Sequence, residues 1–276
     1  MGSVDYDPAN FFSVNFAIRP PGYPPISVLV AIGALAGVFS GLFGVGGGIL
    51  LVPLLMWWAK MDFLKASATS LGAILPIATI SAIPYLAYGE FSLWITLAVV
   101  GGSGLGAQLG IWIRLRAKLV ALELSFVVFL LGAAALVVSL EPSRDTTIQP
   151  SLWSVVLLAG IGVIAGLAAA VFGAGGGVFL VPLLFVAEVG DLVAKSVSLI
   201  ALIPASIIPS INYLRLGTSR PTDLIVVAGA GIVSAPFSAV WAQGLSPAVS
   251  AISIAALAAS FAVAVMLRTI VHFRAQ

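Results

Sequence analysis

The chain has 276 residues, 61% of them hydrophobic and only 8% charged, with a formal net charge of +2 and a mean hydropathy of +1.19. A water-soluble domain carries about 25% charged residues, so too few polar groups are present to coat a water-facing surface, and lipid must be the solvent. The small positive balance comes from loop lysines and arginines and is no footprint for nucleic acid, and the absence of cysteine removes disulfide frameworks and thiolate chemistry.

Residues 1–25 contain Asp5, Asp7 and several prolines without a basic-then-apolar leader layout. They read as an interfacial arm anchored by Phe11, Phe12 and Phe16. Apolar runs bounded by charge, proline or glycine then predict five helical segments at 26–43, 48–59, 66–87, 92–112 and 119–140. A loop at 141–150 follows. Five more segments are predicted at 152–171, 177–187, 196–214, 222–243 and 248–267, before a basic tail at 268–276 with Arg268, His272 and Arg274. Runs of this length are helical membrane texture, and the alternating ten-residue strands of a barrel are absent. Trp57, Trp58, Trp94, Trp112, Trp153 and Trp241 fall near segment ends, as an aromatic belt requires.

The two sets of five are copies. Phe43-Gly44-Val45-Gly46-Gly47-Gly48 and Val52-Pro53-Leu54-Leu55 return 129 positions later as Phe172-Gly173-Ala174-Gly175-Gly176-Gly177 and Val181-Pro182-Leu183-Leu184. With one deletion the match continues: Ala66, Ser70, Leu71, Pro76, Tyr85, Leu86 and Gly89 align with Ala194, Ser198, Leu199, Pro204, Tyr213, Leu214 and Gly217. Residues 26–140 and 151–267 are therefore two membrane repeats.

Charge chooses between two topologies. If 26–60 crosses the membrane once, the halves are parallel and the twelve basic residues divide six to six. If 26–60 is a hairpin turning at its glycines, each half has five segments and the second inverts. Ten basic residues then share one side, leaving Arg144 and Lys195 opposite. Cytoplasmic loops are enriched in Lys and Arg. The expectation is an all-α polytopic membrane protein of two inverted five-segment repeats, both termini cytoplasmic, each repeat holding a glycine-broken hairpin near the bilayer midplane.

Successive glycines break a helix, and a break at membrane depth is tolerated only where it is buried in protein or lines a cavity. Paired breaks at corresponding positions of two halves point to a transporter's binding site. Segment 48–59 is about 18 Å long at 1.5 Å per residue, so its glycine end stops near the middle of a core about 30 Å thick. By symmetry 177–187 reaches the same depth from the other side. Helix N-termini present unpaired N–H groups and about half a positive charge, and they bind anions. The candidate substrate-binding residues are Gly46, Gly47, Gly48, Gly175, Gly176 and Gly177, with the hydroxyls of Thr69, Ser70, Ser196 and Ser198. The competing reading is that the glycines only permit tight hairpin packing.

The duplicated GxGGG-x-x-x-VP-LL phrase, followed by Ala-x-x-x-Ser-Leu and a mid-helix proline, resembles the TauE/SafE sulfite exporter family, also called the toluene sulfonate uptake permeases. The resemblance covers about residues 26–267. It implies multi-pass transporters of the bacterial-type inner membrane that carry sulfite, sulfonates and related organic anions, some outward and some inward.

Other candidates carry alternatives. Glu123, one turn into 119–140, either carries a coupled proton or pairs at the interface beside Lys118. Pro76 and Pro204 bend their helices, as static curves or as hinges for alternating access. Asp191 and Asp223 fall at segment ends, where solvated carboxylates are expected. Gly33, Gly37, Gly41 and Gly102, Gly106, Gly110 are small-residue stripes for close helix approach. His272 has no catalytic partner nearby, so no enzyme, metal or cofactor is expected. Export by alternating access is the leading function, because a negative interior drives anions out. An anion channel and a proton-coupled uptake permease are the alternatives, and homo-oligomerisation is open.

Overall fold

The computed structural model describes residues 24–117, 119–139, 143–173, 175–215 and 220–274, with side chains undescribed at several positions, Glu123 among them. The arm with Phe11, Phe12 and Phe16, together with Lys118, Gly217 and the side chains of Leu214, Arg268, His272 and Arg274, lies outside that description. Ten helices follow in order: α1 Ile26–Phe43, α2 Gly48–Trp57, α3 Phe63–Ala87, α4 Leu93–Arg116, α5 Leu119–Val138, α6 Leu152–Phe172, α7 Gly177–Val186, α8 Asp191–Arg215, α9 Pro221–Ala242 and α10 Pro247–Arg274. Among the described residues there is no strand. Among the described residues six helices, α1, α3, α4, α6, α8 and α9, are long and apolar enough to cross a membrane. Large apolar side chains such as Leu152, Trp153 and Phe237 face outward, the arrangement expected of a surface solvated by lipid.

Helix packing repeats between the halves. α1 lies against α9 as α6 lies against α4, and α3 contacts both α8 and α9 while α8 contacts both α3 and α4. The glycine stripes make these seams. Gly33, Gly37 and Gly41 press on Val227, Gly231 and Ala235, and Gly102, Gly106 and Gly110 on Ala159, Val163 and Leu167. A Cβ at Gly110 would lie 2.6 Å from the Leu167 carbonyl. In lipid, where no hydrophobic force separates buried from lipid-facing carbon, such close backbone approach drives association.

α1 and α2 form a hairpin, as do α6 and α7. Gly44 turns the chain at φ +69°, and Gly47 (φ +72°) then lies beside Ala36, about two turns back along α1. In the second half Gly173 turns at φ +71° and Gly176 lies beside Ala165. The ends of the second hairpin meet again: Thr147 N donates to Glu188 O (3.0 Å) and Asp191 N to Ser143 O (2.9 Å). The α5–α6 and α7–α8 connections thus sit at one end of the bundle. Arg144 ties the α9–α10 connection to them through the carbonyl of Leu245. The tip of the first hairpin points toward this end, with Gly44 against Lys195 one turn inside α8, and the tip of the second points toward the opposite end, with Gly173 against Ser67 one turn inside α3.

Several boundaries differ from the expected ones. α3 and α8 begin at Phe63 and Asp191, and α4 runs on to Arg116. Lys65, Lys195 and Arg114, expected in loops, are therefore helical. The apolar run ended at the first charge, but the helices continue: Lys65 stays exposed and pairs with Asp62, the cap of its own helix, while Lys195 and Arg114 are received by residues of other helices. Asp191 is fully buried and Asp223 nearly so, which corrects the expectation of solvated carboxylates.

Candidate functional site

The two glycine loops meet at the centre. A Cβ on Gly177 would fall 2.7 Å from Val45 Cα, so the first turn of α7 touches the loop preceding α2. Gly46 and Gly175 (φ +71° and +63°) both face Ile74 of α3 and Leu202 of α8. Ile74 and Leu202 are fully buried equivalents in the two repeats and fill the space between the loops. A ligand reaches both loops only when these side chains withdraw. This conformation is therefore closed at its centre.

Helix starts differ in capping and in depth: α1, α4 and α9 begin on Pro25, Ser92 and Arg220 without a side-chain cap. At the bundle's surface, α3 is capped by Asp62, whose Oδ1 accepts from Lys65 N at 2.9 Å, and α6 by Ser151, whose Oγ accepts from Ser154 N at 3.1 Å. α2 and α7 start in the interior on Gly47 and Gly176, and no side chain caps either. Their first-turn N–H groups have the polarity that stabilises an anion. Gly48 and Gly177 are the first helical residues and are buried.

The hydroxyls divide by helix face. Ser70 and Ser198 each stand one turn before Ile74 and Leu202, on the face toward the glycine loops, and both are fully buried with an Oγ lacking a hydrogen-bond partner. Burying a hydroxyl without a partner costs on the order of 1–3 kcal/mol, so matched unsatisfied hydroxyls beside matched loops call for an explanation. Thr69 and Ser196 are also buried, and Ser196 Oγ is likewise unpartnered, but by helical spacing they point to other faces of α3 and α8. Gly176 differs from its equivalent Gly47. Its φ is −55°, so it needs glycine for the close approach of Ala165 and not for a left-handed turn. Pro76 and Pro204 lie inside α3 and α8, two residues beyond Ile74 and Leu202.

Charge in the interior was not visible in the sequence. Lys195 and Asp191 are both fully buried and paired at 3.0 Å, and Lys195 Nζ also donates to Ser250 Oγ at 2.9 Å. Arg144 Nη1 approaches Asp191 Oδ1 at 3.7 Å. At the other end Arg114 is 4% exposed. The signal that could have found the first cluster is the i,i+4 spacing of Asp191 and Lys195. Nothing local marks Arg114.

Residues 10–137 match the profile of the family described as Sulfite exporter TauE/SafE. A Bacillus subtilis (strain 168) protein named "Probable membrane transporter protein YunE" is 32% identical over 108 residues, which are 38% of this chain and 40% of that protein. A "Probable membrane transporter protein" of Haemophilus influenzae is 27% identical over 183 residues, 58% of this chain and 62% of its own length. One from Xylella fastidiosa (strain 9a5c) is 31% identical over 86 residues, 31% of this chain and 33% of its own length. The chain thus spans less than two thirds of the length of each of these relatives. No solved structure matches it. That profile match covers a little under half of the chain and includes the glycine phrase that the second repeat restates, so the chain is a helical membrane protein similar over its first repeat to the TauE/SafE sulfite exporter family.

Proposed function

We propose that the protein is a secondary transporter that exports sulfite or small organosulfonate and related organic anions across the cytoplasmic membrane by alternating access. The observation that carries this reading is the meeting, at the centre of the bundle, of two interior helix N-termini that no side chain caps. In water such ends bind solvent. Buried in protein they leave N–H donors that an oxyanion satisfies without bringing a counter-charge with it. Ser70 and Ser198 supply further donors beside the loops, Ile74 and Leu202 close the centre to water, and Pro76 and Pro204 give α3 and α8 a point at which to bend.

The inverted arrangement belongs to the same proposal. It is supported by the gathering of the α5–α6, α7–α8 and α9–α10 connections at one end with Arg144 and Lys195, while Lys60, Lys65, Arg114, Arg116 and Arg220 belong to the other. The excess of positive charge makes that second end cytoplasmic. The repeats at 26–140 and 151–267 are then the two moving units.

The test is counterflow of sulfite or a short sulfonate in proteoliposomes with Gly47→Val and Gly176→Val. Saturable exchange that both variants abolish, with each still monodisperse in detergent, is the expected result. Unchanged flux in both would remove the glycine loops from the mechanism, and unitary currents would replace the carrier with a channel.

A further inference from the structure

Arg114 and Arg116 stand two residues apart at the end of α4 and behave differently. Arg116 is exposed and lies over the Trp112 ring at 3.8 Å, as an interfacial arginine does. Arg114 turns inward and is buried. Its guanidinium stacks on Tyr213 of α8 at 4.3 Å. Nη1 donates to Ser67 Oγ (3.1 Å), Val171 O (3.2 Å) and Ala170 O (3.5 Å). Part of its role is plain. Ala170 and Val171 belong to the last turn of α6, whose free carbonyls carry negative polarity. Ser67 Oγ covers the Phe172 carbonyl, and Tyr213 Oη donates to Ala170 O at 3.2 Å.

The other edge of the guanidinium is not accounted for. Nε is buried with no hydrogen-bond partner, and Nη2 has a single contact, 3.5 Å to Leu64 O. Nε and Nη2 form the side-on fork that grips two oxygens of one anion. Among the described residues no carboxylate pairs with Arg114. Taking a cation out of water without a counter-ion costs several kcal/mol, and helix-end carbonyls offset only part of that.

What lies between Arg114 and the glycine centre is polar on two helices. On α3, Ser67 is followed by Ser70 and then Ile74, one turn apart. On α8, Tyr213 is preceded by Ser210, Ser206 and Leu202 at the same spacing. Ser70, Ser206 and Ser210 are buried, and each Oγ lacks a partner. The repeat does not share this ladder. The α3 positions equivalent to Ser206 and Ser210 are Ala78 and Ala82, and the second repeat's equivalent of Ser67 is Lys195, whose charge is neutralised by Asp191.

We propose that Arg114 is the anion-recognition residue of a second site, about 10–16 Å from the glycine centre along α3 and α8 at 1.5 Å per residue, and that Ser70, Ser206 and Ser210 lead from it to that centre. The ligand is an oxyanion with at least two terminal oxygens on one atom, a sulfite, sulfonate or carboxylate. The site deepens the anion-transport reading and rests on it.

The test measures stabilisation of the purified full chain against heat by sulfite and by a short alkyl sulfonate. Wild type is compared with Arg114→Lys, Arg114→Gln, Ser210→Ala and Gly47→Val. Arg114→Lys retains charge for the α6 carbonyls but loses the planar fork, and should weaken the anion's effect at least tenfold. Ser210→Ala removes an unpartnered hydroxyl, so the unliganded protein should melt no lower than wild type while anion binding weakens; this arm stands even if both Arg114 variants fail to fold. A lower melting temperature in the Arg114 variants with an undiminished anion shift would make Arg114 a helix cap only and overturn the proposal. An undiminished shift in Ser210→Ala would do the same for the ladder. If binding survives every Arg114 and Ser210 change and is lost only in Gly47→Val, the glycine centre stands alone. If wild type responds to no soluble anion, both readings fall. Stabilisation by phosphatidylglycerol micelles and not by the soluble anions would assign the fork to a lipid headgroup and overturn the transport role.

Discussion

Replacing Gly47 with Ala separates two reasons for a glycine, because the structure contains the controls. Gly47 is the N-cap of α2 at φ +72°, ψ −7°, a left-handed conformation that costs an L-residue about 1–2 kcal/mol. The added Cβ would also stand 2.5 Å from Ala36 O and 3.0 Å from Ala36 Cβ. That is an overpacking of the kind that costs about 1–3 kcal/mol. The sum is about 2–5 kcal/mol. Gly176→Ala carries no left-handed strain, since its φ is −55°, but its Cβ would stand 1.9 Å from Ala165 O, a tighter backbone clash than the one at Gly47. Gly101 in α4 is the blank: nothing lies within 4 Å of its Cβ position, and Ala there should stabilise by about 0.4–1 kcal/mol. Thermal unfolding in detergent, followed by loss of the monodisperse peak in size-exclusion chromatography, should place Gly101→Ala at or above wild type and both Gly47→Ala and Gly176→Ala well below it. If Gly47→Ala melts with wild type, the left-handed turn and its contact with Ala36 are not what holds α2 in place.

Asp191→Asn leaves Lys195 buried beside a neutral amide and should destabilise by about 3–5 kcal/mol; Asp191→Asn combined with Lys195→Met should recover much of that, and no recovery would mean the charge pair is not the coupled unit. Asp62→Ala removes the cap of α3 and should cost about 0.5–2 kcal/mol. Burial alone would raise the Asp62 pKa, but the backbone N–H and ammonium of Lys65 outweigh it and hold the carboxyl below its usual value. The cap's contribution is therefore full above the unfolded pKa of about 3.9 and fades as pH falls through the lower folded value, so wild type and Asp62→Ala should converge in stability only in acid. Cysteines replacing Glu90 or Leu245 should label from outside intact cells and those replacing Lys60 or Ala117 from inside; labelling of Ala117→Cys from outside would refute the inverted arrangement. A membrane potential, negative inside, favours expulsion of one negative charge by about 2.3 kcal/mol per 100 mV, close to a fifty-fold gradient. Efflux from proteoliposomes should therefore accelerate when the substrate side is made negative, and Glu123→Gln should retain most of it; flux that instead follows the pH gradient and collapses in Glu123→Gln would mean proton coupling.

The sequence by itself determined the solvent, the ten helices of the described residues and the duplication. Each is a local property: apolar runs of membrane length must close their backbone hydrogen bonds internally, glycine triplets interrupt them, and paired phrases such as Gly44–Gly48 and Gly173–Gly177 align by inspection. Ser70 and Ser198 are legible as site candidates because the repeat sets them at matching positions after the two glycine phrases; that Ile74 and Leu202 stand one turn beyond them, against the loops, is seen only in the fold. The fate of the charges was decided only by tertiary structure. Arg114 and Arg116 are the same residue type in the same helical turn, yet one lies over Trp112 at the surface and the other caps α6 from within, because α3, α6 and α8 converge on only one of them. By sequence Asp191 and Lys195 fall at a segment end because charge stops an apolar run, whereas in the fold Ser250, 55 residues from Lys195, and Arg144 receive them. A buried charge is tolerated through its partners, and those partners come from distant segments that no local pattern identifies.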